Sequence, residues 1–179
     1  MKIIAFGASY SKESINKRFA GYAARQFNSA ETEVLDLNNY ELPLFTVDAE
    51  SEIGFPKNAR LFLDKLESAD LLVISMAEHN GSYTAAFKNL FDWTSRLKAN
   101  MFEGKKILLL SVSPGKRGGI GALEAARSRF PRHGAEIIGA FSLPYFEENF
   151  NPESGISDQE LDNQFKATIS SAQKSLLIK

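Results

Sequence analysis

The chain has 179 residues, of which 44% are hydrophobic and 24% are charged, and its formal net charge is -1. A chain of this length predicts one domain, residues 1–179, whose core needs no disulfide or metal staple. The absence of cysteine excludes disulfides and thiolate chemistry, and two histidines leave little for a metal centre, so no metal is expected. The near-neutral charge argues against a nucleic-acid partner.

The apolar runs of the chain are short. None approaches the ~20 consecutive apolar residues of a membrane-spanning helix. No basic leader followed by an apolar run precedes the first predicted strand. We therefore expect a cytoplasmic protein with no membrane partner.

Apolar runs alternate with helical patterns along the whole chain, which is typical of βαβ units and a parallel sheet. The predicted strands cover residues 2–6, 34–37, 71–75, 106–111 and 136–141. The first predicted helix begins at Ser14, a favoured N-cap residue, and the later helices cover 56–68, 84–97, 121–132 and 157–177. Two remaining long stretches are predicted to be irregular, at residues 38–55 and 143–156. The first is a candidate functional or interface loop because it is longer than most connections.

This order of elements predicts an α/β fold of the flavodoxin-like type, a three-layer, doubly wound parallel sheet of five strands in the order 2-1-3-4-5. Ligands of such sheets bind outside the carboxyl ends of the strands, where the strand order reverses. Here that point lies between the first and third predicted strands. Three loops leave these strands and the neighbouring fourth one, at residues 7–16, 77–82 and 113–119. We expect the three loops to face one crevice.

The first loop carries side chains that suit a phosphate at the start of a helix, namely Ser9, Ser11, Ser14 and Asn16. The dipole and the unpaired N–H groups of a helix N-terminus also favour an anion. Alternatively, Ser14 only caps the helix and the other hydroxyls satisfy the turn. The loop matches neither GxGxxG nor GxxxxGK[ST], which disfavours resident NAD and ATP. Small residues on the other two loops suit a flat ring, so the sequence indicates a flavin site.

Residues 77–93, AEHNGSYTAAFKNLFDW, resemble the PEYNxSxPxxLKNxxDW signature of the NADPH-dependent FMN reductase family. The first loop resembles that family's GSxRxxSxN and the third its SxGxxGG, and the likeness runs through essentially the whole chain. The resemblance implies that the first loop holds the FMN phosphate and that the other two loops flank the isoalloxazine ring. It also implies NADPH or NADH as electron donor, a small-molecule acceptor (a quinone, azo compound, flavin or metal ion), and a homodimer or homotetramer.

By position, the resemblance assigns cofactor contacts on all three loops. Several departures from the family pattern matter here, with Ala8 at the motif glycine and Ala77 and Thr84 at its two prolines. In addition, Ser11 stands where the family commonly has arginine. That change removes one cationic contact and leaves the choice between NADPH and NADH open. The residues expected to contact FMN are Ser9, Ser11, Ser14, Ile15, Asn16, Ala77, Glu78, His79, Asn80, Gly81, Ser82, Ser113, Gly115, Gly118 and Gly119.

His79 stands at the family's tyrosine position and allows two interpretations. Histidine side chains in general exchange protons near neutral pH, so His79 is a weak candidate for proton donation to a reduced flavin, or else only its backbone touches the ring. No other catalytic side chain is expected, because hydride chemistry belongs to the cofactor. His133 is predicted at the surface. Large side chains at helical spacing are predicted in the core or a subunit interface: Phe87, Leu90, Phe91 and Trp93.

These observations predict an FMN-dependent oxidoreductase. The alternative on the same fold is a non-enzymatic, flavodoxin-type electron carrier, which gains from a strongly charged docking surface that a net charge of -1 hardly supports. A phospho-receiver domain needs aspartates after the first and third strands. This chain has Gly7-Ala8 and Ser75-Met76 there, which sets that interpretation aside.

Overall fold

A five-stranded parallel sheet with helices on both faces organises the protein in a computed structural model that describes residues 1–28 and 30–177. The strands are β1 (Lys2–Gly7), β2 (Glu31–Leu35), β3 (Leu71–Met76), β4 (Glu78–His79), β5 (Ser82–Tyr83), β6 (Lys106–Val112), β7 (Glu136–Leu143), β8 (Phe150–Asn151) and β9 (Gly155–Ile156). The helices are α1 (Ile15–Ala24), α2 (Val47–Ile53), α3 (Lys57–Glu67), α4 (Ala85–Leu97), α5 (Ile120–Arg129), α6 (Phe146–Asn149) and α7 (Gln159–Leu177). Two 3-10 turns cover Leu37–Tyr40 and Phe130–His133.

The strand order of the main sheet is β2-β1-β3-β6-β7, with every neighbouring pair parallel. Strands β4–β5 and β8–β9 form two separate antiparallel hairpins. Counting only the strands of the main sheet, this order is 2-1-3-4-5, so the predicted flavodoxin-like fold is confirmed. The order reverses between β1 and β3, and the loops that follow these two strands therefore lie beside each other.

Apolar side chains on the two faces of the sheet form two cores. One core packs under α3, α4 and α5, and the other packs under α1 and α7. All six residues of β3 are buried, as expected of a central parallel strand covered on both faces. The prediction that large side chains of α4 pack in the core is confirmed. The four side chains are at most 3% exposed: Phe87, Leu90, Phe91 and Trp93.

The sequence-based extents of β2 and α5 are wrong, and the sequence also missed several short elements. Strand β2 covers Glu31–Leu35 rather than 34–37, because the Asp36 carboxylate accepts a hydrogen bond from Asn38 N and starts a 3-10 turn. Helix α5 ends at Arg129 rather than at 132, because Pro131 has no N–H to continue the α-helical pattern. The stretches predicted as irregular contain α2, α6 and the β8–β9 hairpin. Helix α2 buries no residue, so it has no apolar period for a sequence reading to detect.

The surface prediction for His133 is also wrong. Its side chain is 8% exposed, and Nδ1 lies 2.6 Å from the carbonyl oxygen of Ala99. The Phe91 ring meets the imidazole edge to face, with 4.8 Å between the ring centroids. The residue follows a helix end as expected, but the 3-10 turn rotates its side chain inward. Separately, none of the described helices combines the length and the apolar character that crossing a bilayer requires.

Candidate functional site

A cavity of about 190 Å³ lies at the N-terminus of α1, where the loops after β1, β3 and β6 meet. The sequence predicted this convergence from strand order alone. The predicted residues that line the cavity are Ser9, Ser11, Ser14, Ile15, Asn16, Ala77, Glu78, His79 and Ser113. Sequence reasoning missed three further lining residues, namely Glu13, Val112 and Pro114. These three adjoin predicted residues, and sequence position alone could not show which neighbours face inward.

Hydrogen-bond donors collect at the start of α1. Ser14 is the N-cap, with its Oγ accepting a hydrogen bond from Lys17 N at 3.1 Å, and it is 5% exposed. The cap leaves the hydroxyl proton of Ser14 available to donate, and the N–H groups of Ile15 and Asn16 have no acceptor within the helix. Ser9 Oγ accepts a hydrogen bond from Ser11 N at 3.1 Å, which closes a tight turn in the loop. The arrangement can bind an anion through neutral donors and the helix dipole.

The side-chain amide of Asn16 makes hydrogen bonds to the ends of two strands. Its Nδ2 donates to Val112 O, and its Oδ1 accepts from Val112 N, both at 3.2 Å. Ser75 Oγ donates to the same Oδ1 at 2.7 Å. Because these bonds join α1 to the ends of β3 and β6, Asn16 fixes the floor of the cavity. A ligand at the N-terminus of α1 would therefore contact Asn16 through its backbone N–H.

Other hydrogen bonds hold the first loop in place. Ala8, at the position of the family's motif glycine, is buried, and its carbonyl accepts from Thr84 Oγ1 at 2.9 Å. Tyr10 Oη donates to Tyr40 O at 3.0 Å, and burial raises the pKa of Tyr10 to about 12. Tyr10 thus remains a neutral hydrogen-bond donor at physiological pH and anchors the loop to the first 3-10 turn. The alanine in place of glycine is accommodated without a positive φ.

The second loop is a β-hairpin, β4–β5, rather than an irregular turn. Asn80 and Gly81 both have positive φ, at 52° and 77°, which favours asparagine followed by glycine at the tip. Glu78 Oε2 accepts a hydrogen bond from Ala122 N at 2.8 Å, so this carboxylate occupies the positive end of α5. His79 reaches the cavity, whereas Asn80, Gly81 and Ser82 are exposed beyond its lining. Contacts of these three residues with a cofactor stay predictions.

Two glycines of the third loop, Gly118 and Gly119, are required by the backbone conformation of the protein itself. Gly118 and Gly119 have φ of 58° and 78° and are buried, and neither they nor Gly115 line the cavity. A Cβ on Gly118 would clash with Ser142 Oγ and lie 3.0 Å from the carbonyl carbon of Leu143. Gly118 therefore packs closely against the end of β7. A cofactor contact for the three glycines stays a prediction.

Gly118→Ala is expected to lower the free energy of unfolding by about 2 kcal/mol or more, because the new methyl group meets backbone and the φ is left-handed. Urea denaturation followed by circular dichroism measures this loss. Gly115→Ala is the matched control, since a Cβ there would meet nothing within 4 Å. Equal stability of the two variants would contradict the packing described for Gly118.

The charged side chains that line the cavity are acids. Among residues 1–28 and 30–177, no lysine or arginine lines the cavity, and its acids are Glu13 and Glu78. Lys17, in the first turn of α1, pairs instead with Asp36 at 2.7 Å, and this hydrogen bond helps lower the pKa of Asp36 to about 2. An anion in this cavity would therefore be held by N–H groups, hydroxyls and the dipole of α1.

Comparisons with known proteins agree with this geometry. A sequence model described as NADPH-dependent FMN reductase matches residues 1–148. An uncharacterised protein of Mycoplasma pneumoniae is 29% identical over 153 residues, covering 83% of this chain and 90% of that protein. A quinone reductase of Escherichia coli is 29% identical over 123 residues, covering 66% of this chain and 63% of that enzyme.

A solved structure shares the fold across nearly the whole chain. An NADH:FMN oxidoreductase in its apo form superposes with a TM-score of 0.76 at 17% identity, covering 99% of this chain and 91% of that one. The match to the family spans all three loops that build the cavity. The chain therefore belongs to the NADPH-dependent FMN reductase family, whose members are oxidoreductases.

Proposed function

We propose that the protein uses FMN to carry electrons from NADPH or NADH to a small-molecule acceptor, with a quinone as the leading class. The observation that carries this proposal is the cavity at the N-terminus of α1, lined by Ser9, Ser11 and Ser14. A terminal phosphate fits this donor set because it needs N–H and hydroxyl donors beside a helix dipole. Azo compounds, free flavins and metal ions are the other acceptor classes in this proposal.

The size of the cavity indicates which part of FMN it would hold. At about 190 Å³ it is smaller than the ~300 Å³ at the lower end for pockets that enclose a drug-sized ligand. It suits the phosphate and the adjoining chain, so the ring would lie along the β4–β5 hairpin. When bound, FMN supplies the hydride and electron chemistry, and the protein supplies binding and orientation. His79 lies where the hairpin meets the cavity and is the candidate to hold a proton there.

The acceptor class draws on the comparisons. The Escherichia coli relative is named a quinone reductase, and a quinone is a planar oxidant that an open flavin face can meet. The tip of the hairpin, at Asn80 and Gly81, is exposed and would leave such a face uncovered. We also propose a cytoplasmic location, where reduced nicotinamides are supplied.

Binding is tested by titrating the protein with FMN and riboflavin. FMN is expected to bind at least about tenfold more tightly, because only FMN carries the phosphate that the α1 N-terminus would hold. Quenching of flavin fluorescence on binding gives both affinities. Equal affinities would remove the phosphate site from the proposal.

Turnover is tested anaerobically with FMN-loaded protein. NADPH or NADH alone is expected to bleach the flavin absorbance, and a quinone added afterwards should restore it. Steady-state rates should then give parallel double-reciprocal lines, because the two half-reactions share one site. Failure of both nicotinamides to reduce the flavin would favour a carrier that is reduced only by a partner protein.

We also propose that two copies of this chain associate through the α2 patch, formed by Leu44, Val47, Ile53 and Phe55, which are 52–77% exposed. Trp93 Nε1 donates to Pro43 O at 2.7 Å and Phe45 N donates to Asn89 Oδ1 at 2.7 Å, so the backbone that presents Leu44 is fixed from both sides. Exposed acids and bases flank the patch, which suits a self-complementary twofold contact: Asp48, Glu52, Lys57 and Arg60.

Leu44→Glu is expected to convert the oligomer to monomer, because each twofold contact would bury two carboxylates in an apolar patch. Light scattering coupled to size-exclusion chromatography measures the mass. Leu177→Glu, at a leucine that is 85% exposed and distant in sequence from the patch, is the control and should leave the mass unchanged. A monomeric wild-type protein, or a Leu44→Glu protein of unchanged mass, would rule out this interface.

A further inference from the structure

A second concave surface lies along the outer side of α1 and shares no lining residue with the cavity at the helix N-terminus. This α1 groove has a volume of about 360 Å³. Its floor is the helix itself, at Gly21. One wall is the end of β2, with Val34 and Asp36, and the other is the β8–β9 hairpin, with Phe150 and Pro152. Its volume falls within the range of small-molecule sites, roughly 300–1,000 Å³.

The glycine on the floor has no structural requirement behind it. Gly21 is in the middle of α1 and its φ is not positive. A Cβ there would meet Val34 Cγ2 at 3.5 Å and Arg25 Nη1 at 3.7 Å, which are ordinary van der Waals distances. Glycine in a helix interior is less stable than alanine, so the fold itself would favour a methyl group. A residue that breaks a local rule without a packing reason points to a functional constraint.

The charges around this floor have an excess of cations. Lys17 is neutralised by Asp36, whose pKa is held at about 2 by that hydrogen bond and by bonds from Asn38. Arg18 lies 5.3 Å from the centre of the Phe146 ring and 3.9 Å from Glu147. Within residues 1–28 and 30–177, the Arg25 guanidinium has no carboxylate within 4 Å, and it extends over the Gly21 position. An anion held against Gly21 would meet Arg25 directly.

The walls favour a flat, partly apolar ligand. Val34 is 44% exposed although it is aliphatic, and the opposite wall is formed by the exposed Pro152 and by Phe150, which is 6% exposed. We infer that the α1 groove binds a small planar anion, an aromatic ring that carries one phosphate or carboxylate. The ring lies between Val34 and Pro152, beside the buried Gly21, and its anionic group pairs with Arg25. Purine nucleotides and aromatic carboxylates share this chemistry.

The test uses full-length protein saturated with FMN, so that the cavity at the N-terminus of α1 is separately occupied. Backbone amide shifts of Gly21, Arg25 and Val34 are followed by NMR during titration with AMP and, in a second arm, with 2-hydroxybenzoate. Adenosine and inorganic phosphate are the matched probes that carry only the ring or only the anion. AMP or 2-hydroxybenzoate, the complete probes, is expected to saturate these shifts at millimolar concentration or below. Adenosine and inorganic phosphate, the partial probes, should each bind at least about tenfold more weakly.

Two variants separate a binding site from a chance groove. Gly21→Ala is expected to raise the melting temperature by about 2–4 °C, because alanine is more stable than glycine in a helix interior. It should also lower the affinity for the probe about tenfold, because the methyl group would fill space at the floor of the groove. Arg25→Gln should weaken it similarly without changing the melting temperature, whereas Arg132→Gln, at an exposed arginine of the second 3-10 turn, should change neither.

Several results would overturn the inference. They are the absence of saturation by both complete probes, equal binding by the wild-type and Arg25→Gln proteins, and a Gly21→Ala protein that gains no thermal stability. Loss of FMN binding would instead refute the proposed function, because the groove shifts are read at different amides. The relative affinity of AMP and 2-hydroxybenzoate identifies which class of planar anion the groove prefers.

Discussion

Ser14→Asp is expected to lower FMN affinity by at least about a hundredfold, because a carboxylate within roughly 5 Å of a phosphate repels it by about 3 kcal/mol at an effective dielectric of 20. Ser14 caps α1 and lines the cavity, so the new charge would stand among the donors that the phosphate needs. Aspartate is as good an N-cap as serine, so α1 should persist. The affinity loss therefore measures the phosphate contact and not the fold.

Fluorescence titration with FMN and with riboflavin checks this result. Riboflavin lacks the phosphate, so its affinity should change far less. Thr46→Asp is a matched control, because Thr46 caps α2 in the same way, with Oγ1 accepting from Ala49 N at 2.9 Å, and it is not in the cavity lining. An unchanged FMN affinity in the Ser14→Asp protein would mean that the anion binds elsewhere.

The position of the cavity could be predicted from the sequence, because the order of the strands determines which loops meet. A parallel sheet brings the carboxyl ends of β1, β3 and β6 to one edge, and apolar runs followed by short loops mark those ends. Ser14 was identifiable as a cap because serine before a helical pattern has few other local roles. The convergence of Ser9, Glu78 and Ser113 on one cavity followed from this reasoning.

What could not be predicted depends on partners that are distant in the sequence. The side chain of Asn16 bonds to Val112, 96 residues away, and nothing near Asn16 in the sequence indicates that pairing. Gly118 faces Ser142 on β7, so its need for glycine arises from packing that only the folded chain defines. Both residues stay predicted cofactor contacts, and the folded structure adds a packing role that the sequence did not show.

Gly7→Ala is expected to have the largest effect on stability, a loss of about 3 kcal/mol or more in the free energy of unfolding. Gly7 ends β1 where α1 approaches most closely. A Cβ there would clash with Lys17 N and lie 2.7 Å from the carbonyl carbon of Asn16. Backbone cannot move away as a flexible side chain can, so the helix would have to shift as a whole.

That shift would also lower FMN affinity, because it would displace the first turn of α1, and the N–H groups of Ile15 and Asn16 belong to that turn. Urea denaturation measures the stability of the Gly7→Ala protein, and FMN titration of its folded fraction measures the cavity. Ala8→Gly is the neighbouring control, since it removes a methyl group that is buried but not required by the backbone, at a cost of about 1 kcal/mol. A Gly7→Ala protein as stable as the Ala8→Gly protein would show that α1 is not held against β1 as described. If it were destabilised but bound FMN as tightly as the wild-type protein does, the N-terminal turn of α1 would not be the phosphate site.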